Sequence, residues 1–174
     1  IYYENIPANA LRLFESKYAE NPNDANLYGL ALAYKKNNNF NEGLASLDKL
    51  LEKYPKNLVL NTTKVEFLSY FNKFNDALDL ANKFLEISPK NYPLSISKSQ
   101  ILLNMGQYFE SEEIIRDQLL RKNDSPELWF MLSETQKTSQ NIVGYHQSRA
   151  EYFLLLGQDE KALNQLEFAL QSVS

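Results

Sequence analysis

The 174-residue sequence has no cysteine, a single histidine (His146), one tryptophan, five glycines and six prolines. Without cysteine there is no disulfide framework and no thiolate metal site, and both reducing and oxidising compartments remain compatible with the chain. One histidine rules out an H-E-x-x-H zinc helix, a His pair at helical spacing and any Ser/His/Asp or Cys/His nucleophile arrangement worth arguing. A one-histidine zinc site needs several carboxylates, and Glu151 alone lies near His146 in sequence. The glycines are scattered singly, so no phosphate-cradling loop is present, and with so few Gly and Pro a long flexible linker is excluded. No apolar run approaches the roughly 20 residues that span a bilayer. Lys and Arg number 18 against 22 Asp and Glu, a formal net charge of -4, and they form no basic stripe of the kind nucleic acid requires. The mild acidity reads as ordinary solubility, with a slight bias toward a basic partner. The chain opens on Ile1 rather than Met, without a charged leader and apolar core ahead of its first helix, and so reads as an excised or processed piece. The carboxylate pairs Glu112-Glu113 and Asp159-Glu160 fall at helix surfaces or starts, where they complement the helix dipole. No catalytic residue, metal ligand or cofactor site is expected in this chain.

What is present is aromatic and periodic. Ten Phe, eleven Tyr and the one Trp supply large apolar area for helix packing. Pro22, Pro55 and Pro89 recur in similar Asn- and Lys-rich frames. Their spacing of about 34 residues is the length of a helix-turn-helix repeat. Proline cannot continue a helix, so each marks a break between units. A second ruler runs in step: the small residues Ala10, Gly43, Ala77 and Ser111, followed four residues on by Phe14, Leu47, Ala81 and Ile115. The preceding helices carry Leu27-x-x-Leu30-Ala31-x-x-Tyr34, the degenerate Asn61-x-x-Lys64-Val65-x-x-Leu68, Ser95-x-x-Lys98-Ser99-x-x-Leu102, and Trp129-x-x-Leu132-Ser133. These residues resemble the tetratricopeptide repeat, whose first helix carries an aromatic, Leu, small residue and aromatic, and whose second carries Ala, an aromatic and Pro.

The resemblance implies an all-α helical solenoid. The spacing predicts a single array over 1–174 with ten helices at about 6–20, 24–37, 40–54, 57–71, 74–87, 92–105, 108–121, 126–138, 141–156 and 159–172. Ser125 is placed to cap the helix that Pro126 opens, and Pro93 suits a first turn. Near the C-terminus the frame slips. His146-x-x-Arg149-Ala150-x-x-Phe153, then Gly157, Ala162, Leu166 and Ala169, fit another repeat, but its frame starts only half a repeat after the one holding Trp129. The other half is skipped, so the helix near 141–156 must end one unit and begin the next.

Stacked helix pairs bury together what none buries alone, and the first helix of each pair lines the concave face. In the repeat frame that face carries Tyr28, Leu32, Lys35, Lys36, Thr62, Glu66, Ser69 and Tyr70. It continues through Ile96, Gln100, Leu103 and Asn104, then Phe130, Glu134 and Lys137, and ends in Gln147, Glu151 and Leu154. The mixture of aromatic and polar residues suits protein or peptide contact, although some of these side chains are expected to pack against adjacent helices. The Lys/Asn clamp with which chaperone adaptors hold a C-terminal carboxylate is absent, since Tyr28 and Leu32 stand at its first positions.

The last third carries a narrower resemblance. Asn91-Tyr92-Pro93-Leu94, Ser125-Pro126-Glu127-Leu128-Trp129, His146-Gln147-x-Arg149-Ala150-Glu151-Tyr152-Phe153, Leu156-Gly157 and Ala162-Leu163-x-Gln165-Leu166-Glu167-x-Ala169-Leu170 follow in this order. With the half-repeat offset, this order resembles the C-terminal repeat region of bacterial M48-family metalloproteases, in particular those of the periplasm that serve beta-barrel assembly. The likeness runs from about Asn5 onward, specific at His146–Phe153 and generic elsewhere. It implies a docking domain for an N-terminal zinc peptidase domain, with periplasmic location. The implied partners are that peptidase domain, the outer-membrane barrel-assembly machinery and its substrate proteins. The zinc would belong to the peptidase domain, so this piece is expected to have no proteolytic activity. A stand-alone repeat adaptor of envelope assembly is the competing reading.

Trp129, His146, Arg149 and Phe153 are assigned to holding the half-repeat junction, with partner contact by Arg149 as the alternative. On a helix, His146, Arg149, Ala150 and Phe153 share one face. Arg149 is thereby turned partly inward, where an unpaired charge is costly, and a carboxylate partner is expected in Glu134 or Glu151.

Overall fold

The computed structural model describes residues 7–173. Ten helices follow one another among them: α1 (Pro7–Glu20), α2 (Asp24–Lys36), α3 (Phe40–Lys53), α4 (Leu58–Tyr70), α5 (Phe74–Ile87), α6 (Tyr92–Asn104), α7 (Tyr108–Leu119), α8 (Pro126–Thr138), α9 (Ile142–Leu155) and α10 (Asp159–Gln171). Each expected helix is found, with ends within two residues of those the spacing predicts, apart from residue 6 and the chain ahead of it, which lie outside the described residues. The helices group into two compact units, one running to Pro89 and one from Lys90.

Two recurring devices set the helix boundaries. Asn23, Asn57, Asn91 and Ser125 recur at the period of the repeat and sit in extended backbone. Each side chain accepts a hydrogen bond from the backbone N–H three residues on, at 2.9, 3.1, 3.0 and 3.4 Å. Such N-caps are each worth about 1 kcal/mol. The second device is the turn inside each helix pair. Asn38, Asn72, Gly106 and Gln140, at the same period, take φ values of 60, 58, 78 and 62°. The N–H that follows each of them returns to a carbonyl five residues back, as in Asn39 to Tyr34 at 3.0 Å and Asn141 to Gln136 at 2.8 Å. That left-handed residue and backward bond close the last turn and send the chain back along its own helix.

α9 is both entered and left by this turn. Gly157, with φ 67°, follows it as Gln140 precedes it, and Gln158 N–H bonds to the Phe153 carbonyl at 2.9 Å. α9 therefore serves as the second helix of a pair with α8 and the first helix of a pair with α10, which is the half-repeat slip seen in the sequence. Its two sides are built for this. Gly144 and Ser148 are buried toward α8, and Ala150, two positions on and so on the far side, is buried together with Ala162 of α10.

The core of the first unit lies where small residues let the helices approach. Ala31, Leu47 and Phe67 are fully buried in one cluster, with Tyr28, Phe40, Leu44 and Phe71 packed around it. A Cβ added at Gly43 would meet two ring carbons of Phe67 at 2.6 Å, so the ring occupies the space a side chain would need. In the second unit, Ile115, Leu119, Leu128 and Leu132 join α7 to α8. The crossing of α6 and α7 uses two buried serines instead, Ser99 Oγ lying 2.9 Å from Ser111 Oγ.

Gly43→Ala is expected to destabilise the fold by about 1–3 kcal/mol despite the better helix propensity of alanine, because the added methyl would overlap the buried Phe67 ring. Thermal unfolding followed by circular dichroism measures this, and an unchanged or raised Tm would contradict the close approach.

Candidate functional site

The expected concave residues divide between the two units. In the first, Leu32, Glu66 and Tyr70 are exposed on α2 and α4. Half-buried Lys35 joins them, its Nζ standing 5.3 Å from the centroid of the Tyr70 ring. Burial pushes the Lys35 ammonium below the usual lysine range, and the Glu66 carboxylate acts against that shift. The Tyr70 hydroxyl donates to Asn38 Oδ1 at 3.3 Å, which steadies the ring while leaving half of it open to solvent. Tyr28 is placed differently. Its ring packs into the clusters formed by α2, α3 and α4, and its hydroxyl lies 2.9 Å from Thr63 Oγ1. Tyr28 thus joins two first helices and presents little to a partner. Thr62, expected on the same face, is buried.

In the second unit, Gln100 is exposed on α6 and donates from Nε2 to Asn104 Oδ1 at 3.3 Å. Gln147 and Glu151 are exposed on α9. Phe130 of α8 and Tyr152 of α9 meet with ring centroids 5.4 Å apart, and Arg149 lies against both. Its Cζ is 4.7 Å from the Phe130 centroid, 5.1 Å from Tyr152 and 5.4 Å from Phe153. The nearest carboxylate is Glu134, with Oε1 3.8 Å from Arg149 Nη1. That is an ion pair without a hydrogen bond, and Nη1 is buried with no partner. Glu134 is thus the carboxylate beside Arg149, but three aromatic faces, not a bidentate salt bridge, hold the guanidinium. Glu151, two residues along the same helix, faces away.

The other residues assigned to the junction are only partly brought together. His146 Nδ1 lies 2.9 Å from Gln165 Oε1 on α10, and the imidazole packs against Tyr145 and Phe168. Phe153 completes the Arg149 cage and receives Lys161 Nζ at 5.5 Å from its centroid. Trp129 is elsewhere. Its indole N–H donates to the Asn123 carbonyl at 2.8 Å and its ring packs on the α7–α8 cluster. One position separates Trp129 from Phe130, about 100° around the helix, so the two face different neighbours.

Sequence reasoning missed a buried polar chain at the same junction. Ser148 Oγ donates to Gln136 Oε1 at 2.7 Å, Gln136 Nε2 donates to Glu112 Oε1 at 3.0 Å, and Arg116 Nη2 reaches the same oxygen at 2.7 Å. Gln136 is fully buried, so this chain ties α7, α8 and α9 through groups that would be costly to leave unmade. The signal was available: glutamine stands where the repeat frame places Tyr34, Leu68 and Leu102.

Among the described residues no cluster of three or more His, Asp or Glu is assembled that could hold a metal ion, and no helix is long and apolar enough to cross a membrane.

No protein-family model and no curated protein sequence matches the chain. Solved structures do. TTC0263, a thermophilic tetratricopeptide repeat protein of Thermus thermophilus, superposes with a TM-score of 0.71 over 98% of this chain and 93% of its own, at 20% identity. PilW, a type IV pilus biogenesis factor, gives 0.73 over 95% of this chain and 82% of its own, at 17% identity. A tetratricopeptide repeat protein of Parabacteroides merdae gives 0.65 over 95% and 73%, at 15% identity. The fold is therefore the all-α tetratricopeptide-repeat solenoid, with its half-repeat at the C-terminal end.

The Arg149 cage makes a specific prediction. Arg149→Lys should lose most of what Arg149→Ala loses, because a compact ammonium cannot stack on three rings at once. The double-mutant cycle between Arg149 and Glu134 should give at most about 1 kcal/mol of coupling. Unfolding of the four variants measures both, and a coupling well above that range would restore the salt bridge as the main support.

Proposed function

We propose that the chain is a non-catalytic protein-binding module, each of whose two units offers its own first-helix face to a partner protein. The observation that carries this reading is the pairing, on each unit, of a solvent-exposed ring with a partly desolvated cation: Tyr70 with Lys35 and Phe130 with Arg149. Exposed aromatics beside arginine or lysine are the composition of protein-contact hot spots, where a ring supplies area and the cation supplies direction. A partner segment with a carbonyl or carboxylate to offer would be drawn to the positive charge of Lys35 and Arg149. Photo-crosslinking residues placed at Leu32 and Tyr70 in the first unit, and at Phe130 and Gln147 in the second, are expected to capture partner protein in cells. Tyr70→Ala and Phe130→Ala should each weaken that capture at least several-fold. Capture at none of the four would end the proposal.

The finer reading is that this module belongs to a periplasmic M48 zinc metalloprotease and docks the peptidase domain to the barrel-assembly machinery and to misassembled outer-membrane proteins. Its support is the motif from His146 to Phe153 with the half-repeat that follows, and the double use of α9 gives that motif a structural reason: one helix must present two packing faces. The second reading, a stand-alone adaptor of envelope assembly without a protease, is favoured by the solved relatives such as PilW, which are repeat proteins that this chain matches over most of their length. The reading frame upstream of Ile1 separates the two. A peptidase segment with an H-E-x-x-H helix is expected there on the first reading, and a signal peptide directly before Ile1 would defeat it.

A further inference from the structure

α10 turns one side toward α9 with Ala162, Gln165 and Ala169, of which the two alanines are buried. The neighbouring side carries Leu163, Leu166 and Leu170, which are 59, 46 and 72% exposed. Spaced at i, i+3 and i+7, they form one continuous stripe, the apolar half of an amphipathic helix left open among the described residues. Beside the stripe, Glu160 and Glu167 form an exposed acidic edge on the same side.

The chain itself shows what covers a face of this kind. Aligned on the buried pairs Ala31/Gly43 and Ala150/Ala162, α10 corresponds to α3, and Leu163, Leu166, Glu167 and Leu170 fall on Leu44, Leu47, Asp48 and Leu51. In the first unit those leucines are covered by α4: Leu44 and Leu47 pack with Phe67, and Leu51 with Leu60. Asp48 receives Lys64 of α4 in an ion pair at 2.6 Å. The covering helix thus offers a large apolar residue at i, a lysine at i+4 and a large apolar residue at i+7. The same positions of α7, Ile115 and Leu119, are likewise covered by the first helix that follows, through Leu128 and Leu132.

We propose that the outer face of α10 is a docking site for an amphipathic helix of a protein partner that carries large apolar residues at i and i+7 and Lys or Arg at i+4, the basic side chain pairing with Glu167. The inference is independent of the concave-face reading, since the two surfaces involve different residues. The acidic edge selects against the alternatives. In an antiparallel pairing of two α10 helices it would set Glu160 against Glu167 of the other copy, and it would repel an anionic lipid surface.

The probe is a fluorescently labelled synthetic peptide of sequence 57–71, which contains Leu60, Lys64 and Phe67, added to the whole chain and followed by anisotropy. Binding is expected to the wild type, to fall at least ten-fold in Leu166→Asp and about five-fold in Glu167→Lys. A peptide with its lysine changed, Lys64→Glu, should reverse the preference and bind Glu167→Lys better than the wild type. Glu167 is a solvent-exposed surface residue, so the charge reversal leaves folding intact even if Leu166→Asp proves harder to make. No saturable binding, or equal binding to all three proteins, overturns the proposal. So does a wild-type dimer in sedimentation that Leu166→Asp dissociates, which would assign the face to a second copy, or Leu166-dependent binding to anionic vesicles, which would assign it to a membrane.

Discussion

Helices joined by three-residue turns have little choice about how near they lie, and the side chains at their crossing must be small enough to permit it. In the pairs α2–α3, α6–α7 and α9–α10 the crossing is made by Ala31 and Gly43, Ser99 and Ser111, and Ala150 and Ala162, all buried. The left-handed residue that ends each turn, whether Asn38, Gly106 or Gly157, commits the chain to an immediate reversal. Large residues then fill what the small ones leave open, as Phe67 does over Gly43. Every exposed position follows from this registration. With the inward face set by the small residue, the side chains one and five positions beyond it, such as Leu32 or Glu134, are carried around to the outer face of the first helix.

Much of this was legible because it is periodic. The recurrence of Pro22, Pro55 and Pro89 with the small residues of the second helices is enough to place ten helices, and the misfit at His146 is enough to place the half-repeat. The Asn23, Asn57, Asn91 and Ser125 caps lay at the same period and were legible only at Ser125, since asparagine is common in loops and its capping role depends on extended backbone. What periodicity cannot report is how a side chain finds a partner on another helix. Gln136 is polar where its counterparts are apolar, yet its meaning depends on Glu112, earlier in the chain on α7, and on Ser148, later on α9. The inward turn of Arg149 was predictable from its neighbours at i-3 and i+4. That rings rather than a carboxylate would hold it required Phe130 on a different helix to arrive at the right height. Tyr28 and Trp129 show the converse. Each is an aromatic whose repeat position suggests one role, and each is drawn into packing by a hydroxyl or indole N–H that must find an acceptor.

The double duty of α9 has energetic consequences at both of its faces. Toward α8 it meets a polar chain, Ser148 to Gln136 to Glu112, whose members are stabilising only while all are present. Toward α10 it offers Ala150 and a histidine hydrogen-bonded to Gln165. Neither contact resembles the leucine-rich seam between α7 and α8, because a helix with two inward faces has little circumference left for large apolar residues. The leucines of α10, by contrast, keep the ordinary second-helix positions that Leu44, Leu47 and Leu51 hold on α3, and there they stand exposed.

Helix geometry on α10 separates two surfaces. Lys161 and Phe168 face α9, where Lys161 lies over Phe153 and Phe168 packs on His146. Leu163 and Leu170 lie on the far side of the helix from Lys161, since two residues of an α-helix turn the chain by more than half a circle and seven return it nearly to the start. The Arg149 cage and the leucine stripe accordingly lie on opposite sides of α10. They differ in chemistry as well, one a cation among rings that favours an acceptor-bearing segment, the other a leucine ridge edged by Glu160 and Glu167 that favours a basic helix. A partner on the cage leaves the ridge open, and a change at Glu167 has no direct path to Arg149 except through the α9–α10 packing itself. The two sites are coupled only through that packing, in which His146 meets Gln165 and Phe168, and Lys161 lies over Phe153.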